Sequence, residues 1–136
     1  MAKGKFRINT RELQAGIRRL IESNRAKAKA AMTDAGHFIR SEAQLRTPVD
    51  EGMLTSDVHT EVVEYRKSYA ATVYIPVNCP SAKYAVRMHE GTYKLGANSQ
   101  SKQGKVPVVV GRKYITRAID ENREEIGRVI AARMKL

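Results

Sequence analysis

His89-Glu90 begins like the His-Glu-x-x-His helix on which two histidines hold zinc and the glutamate serves as base. The second histidine is absent: Tyr93 stands in its place, and Gly91 would break the helix between them. His37 and His59 fall on other segments, and Cys79 is the single cysteine, so no local set of ligands has metal spacing. A lone thiol also excludes an internal disulfide framework, and it reads as idle rather than nucleophilic. The run from Gly96 to Gly104-Lys105 has the glycine and lysine of a phosphate loop. However, seven residues separate the glycines and Val106 follows the lysine, where that loop needs four residues and then Ser or Thr. Paired carboxylates among Asp50, Glu51 and Asp57 could do general acid–base work if one sat in an apolar pocket, but acids that flank a turn are normally solvated and bond local amides. No serine lies in a nucleophile elbow. The chain is expected to be no enzyme and to bind no metal or cofactor.

Positive charge is the second chemical resource. The net charge of +11 over 136 residues is unevenly placed. Residues 1–30 carry nine Lys/Arg against Glu12 and Glu22, whereas residues 31–93 carry six bases and eight acids. Lys94, Lys102 and Lys105 make a basic stretch without an acid, and residues 106–136 add seven bases and four acids. A field of this kind suits a polyanion or an acidic protein neighbour. Arg18, Arg25 and Lys29 lie at i, i+7 and i+11, one face of a helix, and could meet phosphates or an acidic partner. Base-reading signatures are missing, so any contact with DNA would be electrostatic and blind to sequence.

The elements that must hold these residues follow from periodicity. Residues 1–8 read as a basic arm in which Lys3, Lys5 and Arg7 surround Phe6, followed by one domain over 9–136. Leu13, Ile17, Leu20 and Ile21, then Ala31, Ala35, Phe38, Ile39 and Ala43, follow helical spacing, either in one helix from about 10 to 46 or in two that break near Ser23-Asn24, and the alanines at 26–31 favour one. Gly36 costs propensity within it and so points to close packing. Pro48 disfavours helical backbone at Thr47, and Gly52 can take a positive φ and turn the chain. From Leu54 the apolar period changes to two, which predicts a strand through Leu54, Ser56, Val58, Thr60 and Val62, a turn at Arg66-Lys67-Ser68, and a second strand from Tyr69 to Val77. A short helix over 82–89 follows, then a flexible polar loop at 93–105, an edge strand at 106–110 marked by Pro107, and a final helix over about 112–135. The predicted class is α+β: a small antiparallel sheet, hairpin plus edge strand, packed by a long N-terminal helix and a C-terminal helix. No run of about 18 apolar residues occurs, and the first residues lack the apolar stretch of a signal peptide, so no membrane partner is expected and synthesis in a cytoplasm is.

Three segments in this order carry a family resemblance. Thr47-Pro48-Val49-Asp50-Glu51-Gly52-Met53-Leu54 resembles the joint "aPvdTGxLrxS" of tail-completion and head–tail joining (neck) proteins of tailed phages. Tyr84-Ala85-Val86-Arg87-Met88-His89-Glu90-Gly91-Thr92 resembles their "YAxxvExGT" segment, and Gly111 to Ile119 the "pFLxpAl" stretch that leads into their last helix. Glu51 departs from the family's usual Thr, and Pro107 lies further from the last aromatic than is usual. The resemblance implies a helix-flanked antiparallel sheet without catalysis. It also implies a virion structural protein made in a bacterial host, one subunit of a hexameric or dodecameric ring at the neck. Its neighbours would be portal or adaptor, tail-tube and terminator proteins, with passing contact with phage DNA. In such a ring the arm (Lys3, Lys5, Phe6, Arg7) and the loop (Tyr93, Lys94, Leu95, Lys102, Lys105) are the expected subunit interfaces. Arg18, Arg25 and Lys29 would face DNA or an acidic neighbour.

Overall fold

A computed structural model describes residues 10–135. Helix α1 runs from Thr10 to Arg46 without a break. It stops where Thr47 precedes Pro48, and Gly52 then turns the chain with φ 84°. The strand expected from Leu54 starts later. Met53–Ser56 form a single helical turn, α2, closed by Ser56 N–H to Gly52 O (3.1 Å) and Asp57 N–H to Met53 O (2.9 Å). The period-two reading failed here because Leu54 and Val58, both buried, are also i and i+4, the spacing of a helical turn.

Strand β1 (His59–Tyr65) and strand β2 (Ser68–Tyr74) pair antiparallel in register from His59 opposite Tyr74 to Tyr65 opposite Ser68. Arg66-Lys67 forms the two-residue turn, with Arg66 at φ 56°. Pro76 falls just beyond the strand end, where its missing amide costs no ladder bond. Helix α3 (Ala82–Glu90) follows, as the sequence predicts.

Residues 93–105 do not form the open loop that the sequence predicts. They contain a helix, α4 (Ala97–Gln103). The edge strand at 106–110 is also absent, and among the described residues the sheet has two strands. Gln103 explains the change. Its side-chain amide donates to Val108 O (2.7 Å) and its oxygen accepts from Val110 N–H (2.7 Å), occupying the groups a strand partner would have used. The expected single C-terminal helix is two: α5 (Tyr114–Asp120) and α6 (Arg123–Met134). Asn122 stands at the break with φ −126°, its side chain bonded back to Ala118 O (2.9 Å). Asparagine competes with helical backbone in this way, and Glu124 and Glu125 then suit the positive end of the next helix.

Helix α1 packs against the hairpin, α5 and α6. One core cluster joins Ile39 and Ala43 of α1 to Val58 and Ala118. The hairpin approaches α1 at Gly36, where an added Cβ would lie 2.3 Å from Thr60 Oγ1. Thr60 is β-branched within a strand and yields little. Gly36→Ala is therefore expected to lower stability by about 1–2 kcal/mol despite its better helix propensity. Adding Thr60→Ala should recover most of that loss; urea unfolding of the single and double variants measures it.

Candidate functional site

The three segments that carry the resemblance meet in space. Leu54 of the joint, Ala85 of α3 and Tyr114 of α5 form one buried cluster, with Tyr84, Met88 and Ile115 packed on it. Tyr114 donates its hydroxyl to Ala85 O (2.8 Å), and its ring lies edge-on to His89 at 4.7 Å. His89 Nδ1 is 2.8 Å from Glu90 Oε1, and Glu90 also pairs with Lys113. Lys113 first and His89 second hold the Glu90 carboxyl below its usual range. The residues that began as a zinc motif thus tie α3 to the start of α5. Among the described residues no group of three or more His, Cys, Asp or Glu is placed to hold a metal ion.

The acids of the joint divide. Asp50 and Glu51 are exposed. Asp57 accepts from the Ser81 hydroxyl (2.7 Å) and Ser81 N–H (3.1 Å), and the Ser81 hydroxyl is the larger cause of its lowered pKa. A carboxyl lowered by folding stabilises the fold above its unfolded pKa of about 3.9 and loses that contribution as pH falls through the folded value. Asp57→Asn should flatten the acid limb of thermal stability below about pH 4, as differential scanning calorimetry across pH would record. Burial raises the Cys79 thiol, with the Asp57 carboxylate acting in the same direction, so the cysteine is kept protonated.

Of the expected interface residues, Lys3, Lys5, Phe6 and Arg7 lie outside the described residues. Lys94 and Lys105 are exposed. Tyr93 and Leu95 turn inward: Tyr93 donates to Met88 O (2.6 Å), and Leu95 shares a small depression with Val110 and Arg117. Lys102 is engaged inside the monomer rather than presented to a neighbour. Its ammonium donates to Gln44 O (2.5 Å), Thr47 O (2.8 Å) and Thr47 Oγ1 (3.1 Å) at the C-terminal end of α1. Burial pushes it down to about 8. Ser99 adds bonds to Val49 N–H (2.7 Å) and Val49 O (3.0 Å). Helix α4 thus closes α1 with polar side chains.

Arg18, Arg25 and Lys29 are exposed on the N-terminal half of α1, which extends past the body. The apolar stripe of α1 does not end where the body does. Ala35 and Ala31 are buried, Ala28 is half-buried, and Ile21 and Ile17 on the same face are 50% and 47% exposed, with Leu20 beside them at 62%. Their spacing reads as core, but nothing in helical periodicity tells how far the covering body reaches. Where the stripe leaves the body, Ile21, Ala28, Met32, Tyr69, Ile130 and Met134 line an open groove of about 780 Å³.

No helix among the described residues is long and apolar enough to cross a membrane. Comparison with family models, with curated proteins and with solved structures finds no match for this chain.

Proposed function

We propose that this chain is a structural virion protein of a tailed bacteriophage: a ring subunit of the neck that completes the tail end and joins it to the head. The observation that carries the reading is the uncovered end of α1. A helix whose apolar stripe continues through Ile17, Leu20 and Ile21 in solvent is built to be covered by a neighbour. Among the described residues the two-stranded sheet adds unpaired edges, and one side of the hairpin stays open. The resemblance of the three segments supports the same reading, since they meet as one buried cluster that holds the scaffold rather than line a reaction pocket. Function then lies in contacts between copies and with portal or adaptor, tail-tube and terminator proteins.

Electron microscopy of the purified full chain tests this. Closed rings of six or twelve copies are expected, and a protein that stays monomeric at its highest soluble concentration would overturn the proposal.

A small, sequence-blind nucleic-acid-binding domain is the second reading, favoured by Arg18, Arg25 and Lys29 exposed along one helix face. On that reading the monomer binds DNA with a log–log salt slope of about −0.9 for each phosphate contact, and replacing the three bases by alanine removes up to about three contacts.

A further inference from the structure

We infer that the ring interface, resting on the reading just given, is head-to-tail: the uncovered end of α1 lies across the open face of the hairpin of the next copy. The helix supplies one half of the interface. Between Gln14 and Thr33 it carries Arg18, Arg19, Arg25, Lys27 and Lys29 against Glu22 alone, and none of the five bases makes an ion pair among the described residues. Pairing this stripe with the same stripe of a second copy would set two dense sets of like charge side by side, which disfavours a two-fold contact. The stripe needs a surface that is apolar and acidic.

The remaining exposed large apolar residues discriminate among surfaces. Val86 lies between Lys83 and Arg87 on α3, Val77 lines the same groove, and the acid there, Glu90, is already paired with Lys113; Val109 lies between Lys105 and Arg112. Both settings are basic and would repel the helix. Ile119 sits beside Asp120 and Glu121, but these acids are already paired with Arg123 and with Arg46 and Arg117. Met53, beside Asp50 and Glu51, offers one apolar side chain at 36% exposure. The hairpin offers two. Val63 and Tyr65 are 42% and 68% exposed, and Glu61 precedes them on the same side of β1, opposite Thr72 on β2. That side faces away from α1, because Thr60, of the other parity, is the residue that meets Gly36.

The lengths agree. Glu61 to Tyr65 spans about 13 Å of strand, and Arg18 to Arg25 spans about 10.5 Å of helix. Val63 and Tyr65 can therefore cover Leu20 and Ile21 while Glu61 meets one of the two arginines. Arg66 lies over the Tyr65 ring at 5.4 Å and Lys67 follows at the turn, so Glu22, the one acid of the helix stretch, suits the turn end. Because the two surfaces differ, each copy offers one of each, and the contact propagates until a rotation closes it.

Two variants of the full chain test the arrangement: Leu20→Glu, which blocks the helix surface, and Val63→Lys, which blocks the hairpin surface. Both sites are exposed in the monomer, so circular dichroism and Tm should match the wild type. Sedimentation velocity should find each variant monomeric, with its self-association weakened about tenfold or more. The equimolar mixture should form a one-to-one dimer and stop there, because one intact helix meets one intact face and both remaining surfaces are blocked. A mixture that stays monomeric, or a variant that alone assembles as well as wild type, overturns the head-to-tail contact. If wild type forms rings and both variants still do, the ring reading stands and this interface falls. If wild type forms none, both fall.

Discussion

Arg46→Ala is expected to lower the unfolding free energy by about 3–5 kcal/mol. The Arg46 side chain is 2% exposed, and its guanidinium has two carboxylates as partners. Nε donates to Glu121 Oε2 (2.9 Å), and Nη1 donates to Glu42 Oε2 (2.7 Å) and to Glu42 O (2.8 Å). Nη2 lies 2.7 Å from Glu121 Oε2. The fork therefore fastens the last turn of α1 to the break between α5 and α6. Alanine would leave a cavity, Glu42 without its cation, and Glu121 with Arg117 alone at 3.8 Å. Glu121 is 43% exposed and can turn to water, whereas Glu42, at 22%, is less free to do so. That difference places the expected loss nearer the lower end of the range. Arg46→Lys keeps the charge but cannot reach both partners with a planar fork, so it should recover only part of the loss. Arg46→Met combined with Glu121→Gln removes much of the charge conflict and should exceed Arg46→Lys in stability. Urea unfolding at neutral pH orders the four proteins, and an Arg46→Ala loss below about 1 kcal/mol would show that the pair behaves as a surface contact.

Lys102→Ala is expected to cost about 2 kcal/mol, because it leaves the Thr47 carbonyl without the donor that reaches it and the Gln44 carbonyl with the Thr47 hydroxyl alone. The position is the negative end of a 37-residue helix, where a cation is favoured. Burial opposes the charge and holds the ammonium near 8, while the unfolded chain titrates near 10.4. In that interval the unfolded state binds more protons than the folded state, so this group's contribution to stability rises with pH from about 8 and levels off above about 10.4. The rise should be present in wild type and absent from Lys102→Met, so the difference between their urea midpoints across this interval isolates it from the thiol and the tyrosines. Deleting 95–104 should be at least as costly as Lys102→Ala, since it also removes Ser99 from Val49. The basic polar character of this stretch resembles that of an interaction loop; its structural role is to cap a helix.

What the sequence disclosed and what it hid separate along a physical line. The extent of α1, the turn at Gly52, the hairpin and α3 were legible because each is set by local signals: periodicity, a proline, a glycine, strand alternation. The close approach at Gly36 was legible as well, since a glycine that costs helix propensity needs a reason. Helix α4 was not. Its residues, Ala-Asn-Ser-Gln-Ser-Lys-Gln, have no apolar period, and it is held by bonds from Ser99, Lys102 and Gln103 to backbone groups, some of them more than fifty residues back along the chain. The edge strand failed for the same reason, its amide and carbonyl having been taken by Gln103. The role of Arg46 was not legible either, because its partner Glu121 lies in a distant segment. In the candidate site, the face shared by Arg18, Arg25 and Lys29 was legible from spacing. The exposure of Ile17, Leu20 and Ile21 was not, because it depends on where the body ends.

The separation of Arg46 from Glu121 also sets a clock. The two are 75 residues apart, which at translation rates of about 5–20 residues per second amounts to roughly 4–15 s of synthesis. During that interval α1 has neither its anchor at the break nor, for most of it, the lysine that closes its end. The body therefore locks only when its last two helices arrive, and chains released before residue 121 should be open to proteases along the whole of α1.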